Sequence, residues 1–547
     1  MSSDYRTKRE AALQRWGQLA SERSSWLDHW RELAHWTLPR SGRFMDSVTA
    51  NAPARGEKRN QHILDNTGKR AVGIATAGLM SGASSPARPW FKLRTPYDDL
   101  NERPAVKRWL DNVEKRMREV FNQSNTYRAM RQSYRDLLVY GTHGDIVLDD
   151  FESVLHHYPM TMGEYALDAN DKSIVDTVYR KFDMRVGQVV QKFGYTQCSQ
   201  HVRNMYDRRT LDAYIPVLHV IEPRRERNPM KLDNKNMPFA SCYYEFGGQD
   251  QDYLKESGFQ IFPALAPRWE LSNSADVYGT SPGMDALGDT KQLQHQQLRK
   301  SQGIDFMSLP PLQAPANTKV NMTPGSITYV DTTNPIKNLM DVKLDLGMLR
   351  EDILDVRGRI ERAYYVDMFL LIIGDERVQP ATAREIAERH EEKLLMLGPV
   401  LESLHDEMLA PLVELAFAYM LRSGLIPPPP REMSGMPIVI QFVSLLAQAQ
   451  RLVGLSSIDR LLGTILNAAS IVPQAGVMLD KVDTDQLVDV YADTLGVDPT
   501  LVGADDQVAL IRAERQKAAQ QAQAVEAAPQ LASAAKDMAA AQPAATI

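Results

Sequence analysis

The stretch PATAREIAERHEEKLLMLGPVLESLHDEMLAPL, Pro380 to Leu412, decides how the rest of the chain is read. Ile386, Leu394, Leu397, Leu401, Leu404, Met408 and Leu412 keep helical spacing, and Leu415 carries the stripe onward. Gly398–Pro399 and Pro411 interrupt the same stretch. Proline cannot donate to the carbonyl four residues back, and its ring crowds that carbonyl, so it kinks or ends a helix. A stripe that continues across both breaks favours one bent helix, with Gly398, Pro399 and Pro411 as its kinks. Two or three helices joined tightly are the alternative. The segment also holds His390–Glu391, the first half of a zinc-protease motif. That chemistry needs a second histidine one turn on, where Leu394 stands, so the zinc reading fails.

Working outward, the residues from Leu346 to Ile373, before the bend, carry a narrow packing seam and then an apolar run. Leu346, Leu349, Ile353, Val356, Ile360 and Tyr364 recur in steps of three and four, and MFLLII (Met368 to Ile373) follows. Such a run is either a buried strand or an exposed apolar loop; Gly374 and the polar residues up to Arg377 permit a turn. Upstream lies DTKQLQHQQLRKSQG, polar almost all round, then a proline-rich insert with Pro310, Pro311, Pro315, Pro324 and Pro335. Helices at Pro104 to Ser124 and at 125–140 precede β-branched and aromatic runs from 143 to 280, such as YIPVLHVIEP and FASCYYEF. The N-terminal 4–38 reads as one Trp-rich helix, and 62–83 as a helix of small residues that permit close backbone approach. The fold class is therefore α+β, predominantly helical.

With 547 residues, 43% of them hydrophobic, the chain can bury a large core. Two cysteines, Cys198 and Cys242, make no disulfide framework, and no signal peptide or membrane-spanning helix is expected. A net charge of −6 argues against gripping duplex DNA through a wide basic surface. Gly68–Lys69 is no Walker A loop, because Ile63 and Arg70 replace its glycine and its hydroxyl residue. Cys198 and His201 lack a second ligand pair, His156 and His157 on a strand point to opposite faces, and Asp483 and Asp485 lack the glycine and glutamate of a calcium loop. Neither a metal, a cofactor nor a catalytic set is expected.

Two helices flanking an insert, then an apolar run, then a long bent helix form an arrangement that resembles the portal, or head-to-tail connector, proteins of short-tailed bacteriophages. The resemblance rests on the opening stretch and its continuation to GLIPPPP, on SSPARPWFKL, YGTSPGMDALGDTKQL and RSSWLDHWRELAHWTLP, and spans roughly residues 10–430. It implies a portal fold: wing (1–280), first stem helix (281–306), clip (307–344), second stem helix (345–366), tunnel loop (367–380), long kinked helix (381–424), wing return and crown (425–502), and a C-terminal helical barrel or disordered tail (503–547).

The same resemblance implies a homo-oligomeric ring, typically of twelve copies, at one capsid vertex of the virion, assembled in the host cytoplasm. Duplex DNA passes through its channel without sequence specificity during packaging and ejection. Terminase, which supplies the ATP hydrolysis, is a partner, as are capsid and scaffold proteins and a tail adaptor. The expected DNA-facing residues are Lys291, Arg299 and Lys300 on the first stem helix, with a solvated helix face as the alternative reading of the same residues. Those of the tunnel loop are Met368, Phe369, Leu370, Leu371, Ile372, Ile373 and Arg377. The rival readings are another structural virion protein and a nucleic-acid enzyme with a dispersed active site.

Overall fold

The computed structural model describes residues 8–41, 58–101, 103–231, 233–247, 253–316, 318–323, 325–330, 333–339, 345–373, 398–433 and 435–443, with a few residues beyond. The chain divides into two units, Met1–Ala447 and Gln448–Ile547. In the second, residues 510–518 are helical.

The first unit starts with α1 (Lys8–Glu22) and α2 (Ser24–Trp36). The single helix expected over 4–38 is thus divided at Arg23. Its guanidinium is buried and donates to the Tyr165 carbonyl, so this residue is held by the β region. Next come α3 (Thr67–Ala83), β1 (Phe91–Arg94), the short α4 (Asp98–Asn101), α5 (Pro104–Gln123) and α6 (Thr126–Tyr140). Pro104 sits in the first turn of α5, where a missing N–H costs least. Gly141, at φ 76°, closes α6 in the left-handed region.

The β region holds β2 (Asp145–Asp150), β3 (Val154–Pro159), β4 (Tyr165–Ala169), β5 (Val175–Arg185), β6 (Tyr214–Pro223), β7 (Phe239–Glu245), β8 (Lys255–Phe259) and β9 (Ala264–Leu265). Helices α7 (Val186–Phe193) and α8 (Gln200–Asp207) interrupt it between β5 and β6. A five-stranded antiparallel sheet runs β4-β5-β6-β7-β8, beside a three-stranded sheet β3-β2-β9. Both faces of the larger sheet are covered, and its alternation shows how. Val217 and Tyr243 face α7 and α8, while their neighbours Leu218 and Tyr244 face α1.

After α9 (Pro282–Asp285) come α10 (Leu287–Ser308), the insert, α11 (Leu346–Ala363) and α12 (Val366–Ile373). The seam on α11 is buried at Ile353, Val356, Ile360 and Tyr364, inside the main core with residues of α2, α3, α6 and α10. Between α11 and α12 the chain turns at Tyr365, whose φ of 55° is rare for a bulky residue. The insert's ladder is two residues deep: β10 (Leu312–Gln313) pairs with β11 (Lys337–Asn338). The described residues continue with α13 (Gly398–Leu404), a π-helical segment His405–Leu409 and α14 (Ala410–Arg422). Finally β12 (Val439–Phe442) returns to pair antiparallel with β1.

Candidate channel wall and its anchorage

The candidate wall is the α10–α11 pair with its insert, continued by α12; two devices hold it to the rest of the unit, and a third fixes the helix broken at Pro411. The first is a polar knot at the root of α10. Buried Gln294 accepts from the backbone N–H of Leu64 (2.7 Å) and of Asp65 (2.9 Å), and its amide donates to the Asp65 carbonyl (2.7 Å). Asp65 uses one carboxylate oxygen to accept from Thr67 N–H (2.9 Å) and its hydroxyl (2.6 Å), opening α3. The other oxygen accepts from Gln297 (3.1 Å) and from Arg357 of α11 (2.7 Å). Burial pushes this carboxyl up, but the bonds from Thr67 and Arg357 outweigh it and hold the acid below its usual range. One carboxylate thus ties α3, α10 and α11 together.

The second device is steric. Gly78 of α3 faces Phe369 of α12 so closely that a methyl group at Gly78 would lie 2.5 Å from the Phe369 Cβ. The small-residue face of α3 is therefore a slot for a fully buried aromatic ring.

The third is the π turn. Pro411 has no N–H for the Glu407 carbonyl, and the wider turn, closed by Ala410 N–H on the His405 carbonyl, accommodates its ring. Three residues of this turn reach three different partners. The His405 ring stacks on Phe442 of β12 with centroids 4.1 Å apart. The Glu407 carboxylate accepts from the Arg268 backbone N–H (2.8 Å) and from its Nε (3.0 Å). Met408 Sδ accepts from Ser133 of α6 (3.2 Å). Arg268 is itself buried and also donates to the Ser173 carbonyl (2.7 Å). Leu401, Leu404, Met408, Leu412 and Leu415 are all buried, so the apolar stripe does run through the turn.

The expected site residues divide on this frame. Lys291 lies on the rooted half of α10 and forms an ion pair with Glu32 of α2. Arg299 and Lys300 lie farther out. There the Arg299 guanidinium meets Gln302 Oε1 and His295 Nε2 of its own helix, both at 3.4 Å. Met368 and Phe369 are buried and Leu370 is half-buried. Here the expectation of a loop needs correction: from 367 to 373 the chain is helix, because the Gly78 slot gives its apolar face a partner. Leu371, Ile372 and Ile373 belong to that helix, while Arg377 and the rest of the expected loop lie outside the described residues. Gly398 and Pro399 open α13, and 381–397 also lie outside the described residues, so only the Pro411 break is described within a helix.

Other clusters are structural. His157 and His156 do diverge: buried His157 bonds Asp145 (2.5 Å) and Thr126 (3.0 Å), while His156 sits edge-on to Tyr158. Cys198 Sγ meets the Gly194 carbonyl. Among the described residues no group of three His, Cys, Asp or Glu side chains could hold a metal ion, and no helix is long and apolar enough to cross a membrane.

The described residues thus hold an antiparallel helix pair with an insert between its members, and a helix whose turn widens ahead of Pro411. The family of bacteriophage head to tail connecting proteins matches residues 9–502, and this chain belongs to it. A probable portal protein of Bordetella phage BPP-1 is 48% identical over 525 residues, covering 94% of this chain and 93% of the relative. The portal protein of Salmonella phage epsilon15 is 42% identical over 527 residues, covering 95% and 93%. The function is that of a portal protein at the phage head–tail junction. Among solved structures, a chain of a native gene transfer agent virion is 13% identical with a TM-score of 0.34, covering 81% of this chain and 95% of that one. A chain from the neck of an empty gene transfer agent particle is 12% identical with the same TM-score of 0.34, covering 79% and 90%. At that level neither adds to the family assignment.

Proposed function

We propose that copies of this chain close into a ring, twelve in number, around a channel through which duplex DNA is packaged and ejected. In this reading α10, α11 and α12 form the wall, the insert 307–344 is the clip, and residues 1–280 with 425–502 form the wing and crown. The protein is a conduit and docking platform without catalysis of its own; terminase, capsid, scaffold and a tail adaptor are its partners.

One observation carries the ring. Past Gln294, α10 has no buried residue, and the insert has none among its described residues. Instead Phe306, Leu309, Ile327, Tyr329, Leu339 and Met348 stand exposed along the outer helices and the insert. A two-stranded ladder without a core is marginal in water, and apolar surface this extensive marks an interface. Neighbouring copies supply the missing core. Lys291 is committed to Glu32, which narrows the DNA-facing candidates to Arg299 and Lys300. A channel with few cations lets DNA slide, since each phosphate contact adds salt-dependent affinity.

Native mass measurement with electron microscopy of the purified protein tests this. Rings with a central hole wide enough for duplex DNA, at twelve subunit masses, are the expected result. A stable monomer at micromolar concentration, or compact particles without a hole, would overturn it.

A further inference from the structure

Two exposed features of the β region have opposite charge, and each carries one fully presented apolar side chain. The turn between β2 and β3 holds Phe151, 104% exposed, beside Glu152. This turn is rigid. The Asp150 carboxylate accepts from Ser153 N–H (2.9 Å), Ser153 Oγ (2.8 Å) and Glu152 N–H (3.2 Å), and Val154 holds a φ of 69°, rare for a β-branched residue. The connection between β6 and β7, residues 224–238, holds Met230, 90% exposed, among Arg225, Arg227, Lys231 and Lys235, and the acids Glu226 and Asp233 leave it net positive. Its root is also fixed. Arg224 N–H donates to the Pro238 carbonyl (2.8 Å), its guanidinium pairs with Glu256 (2.7 Å), and Asn228 N–H donates to Asn236 (2.9 Å). Asp233 accepts from Asn236 within the loop, whereas the side chains of the four cations have no hydrogen bond or ion pair among the described residues.

We propose that adjacent copies dock through these two features: Phe151 and Glu152 of one copy seat on the basic loop around Met230 of the next. The inference rests on the ring reading above. A ring needs a heterologous contact, two different patches on each subunit that fit each other. The turn belongs to the three-stranded sheet and the loop to the five-stranded sheet, and no hydrogen bond or ion pair among the described residues joins them within one chain. Both stay available in every copy. Opposite charge speeds and orients the encounter, and the apolar pair supplies the desolvated centre. Long ordered loops without a core of their own are commonly binding elements.

The test uses the full-length chain with Phe151→Cys and Met230→Cys together, treated with a short bismaleimide after assembly. A ladder of covalent multimers is expected. Either single variant should stay uncrosslinked, and a mixture of the two should stop at dimers. In parallel, Arg225→Glu with Arg227→Glu should raise the concentration needed for rings about tenfold at low salt, with the effect shrinking at 1 M salt. Adding Glu152→Arg to that variant should recover most of the loss, with thermal melting of the subunit unchanged throughout. Rings that form normally in all variants and give no ladder would overturn this contact and leave the ring reading intact. Failure of the parent chain to form rings would overturn the ring reading itself. If the Arg variants assemble normally but retain less duplex DNA, the loop contacts nucleic acid and the docking proposal is wrong.

Discussion

Glu114 shows how one side chain can set a response of the folded subunit to pH. It lies on α5 beneath β1, where its carboxylate accepts the Leu93 N–H at 2.6 Å. Burial is the dominant influence and pushes the acid up to about 7 from an ordinary 4.5, against the pull of that hydrogen bond. The folded state therefore binds a proton more tightly than the unfolded chain. The stability so gained is complete below pH 4.5 and is lost as pH rises through 7. Glu114→Gln keeps an acceptor for Leu93 and removes the titration. The variant should be on the order of 2–3 kcal/mol more stable than the parent at pH 8 and nearly equal to it at pH 4.5. Urea unfolding at four pH values checks this, and parallel pH profiles for the two chains would show that Glu114 stays charged. The candidate site is less legible at this scale than the fold. Lys291 reads as a free cation until Glu32, on another helix, is brought to it. Likewise Asp65, Gln294 and Arg357 form one knot from residues 229 and 292 positions apart. Single-sequence spacing carries no information about such pairs.

Among the elements, those with their own periodicity were legible and those that depend on a partner were not. YIPVLHVIEP and FASCYYE are rich in β-branched and aromatic residues and form β6 and β7. YALDA, poor in both, forms β4 because β5 offers it a ladder. The MFLLII run was open between loop and strand yet is helical, since its form is set by the Gly78 slot on α3. Gly78→Ala should accordingly cost about 3 kcal/mol through overpacking, and Phe369→Ala in the same chain should recover part of that loss. Chemical unfolding of the single and double variants measures both, and additive costs would mean that the two residues are not coupled. The proline break was legible, but its form as a π turn was not; nor was the tie from Glu407 in that turn to Arg268, 139 positions away. Arg268→Ala strips a nearly buried cation from Glu407 and should lower stability by about 3 kcal/mol. A loss under about 1 kcal/mol would show that Pro411 alone maintains the turn.

At the level of the whole molecule, the rooted part of α10 folds within the subunit, while its outer part and the insert have no buried residue among those described. Ile327→Ser with Tyr329→Ser should leave the melting temperature of the dilute subunit within about 1 °C, because both side chains are exposed there. The same pair should raise the concentration at which rings form by about tenfold or more. Sedimentation across a dilution series reads this directly, and unchanged assembly would place the covered surface elsewhere. The helix pair also has a mechanical consequence. From Gln297, its last residue in the Asp65 knot, to Ser308, α10 extends about 16 Å, at 1.5 Å per residue. It is a cantilever with its load at the tip, and any sideways push on the insert produces its greatest torque at the fixed end. There the joint adds to the apolar contacts of Leu287 and Leu293 the Asp65 knot, made of directional hydrogen bonds that resist shear. A displacement at the insert is thereby delivered to α3, the helix that also holds Phe369.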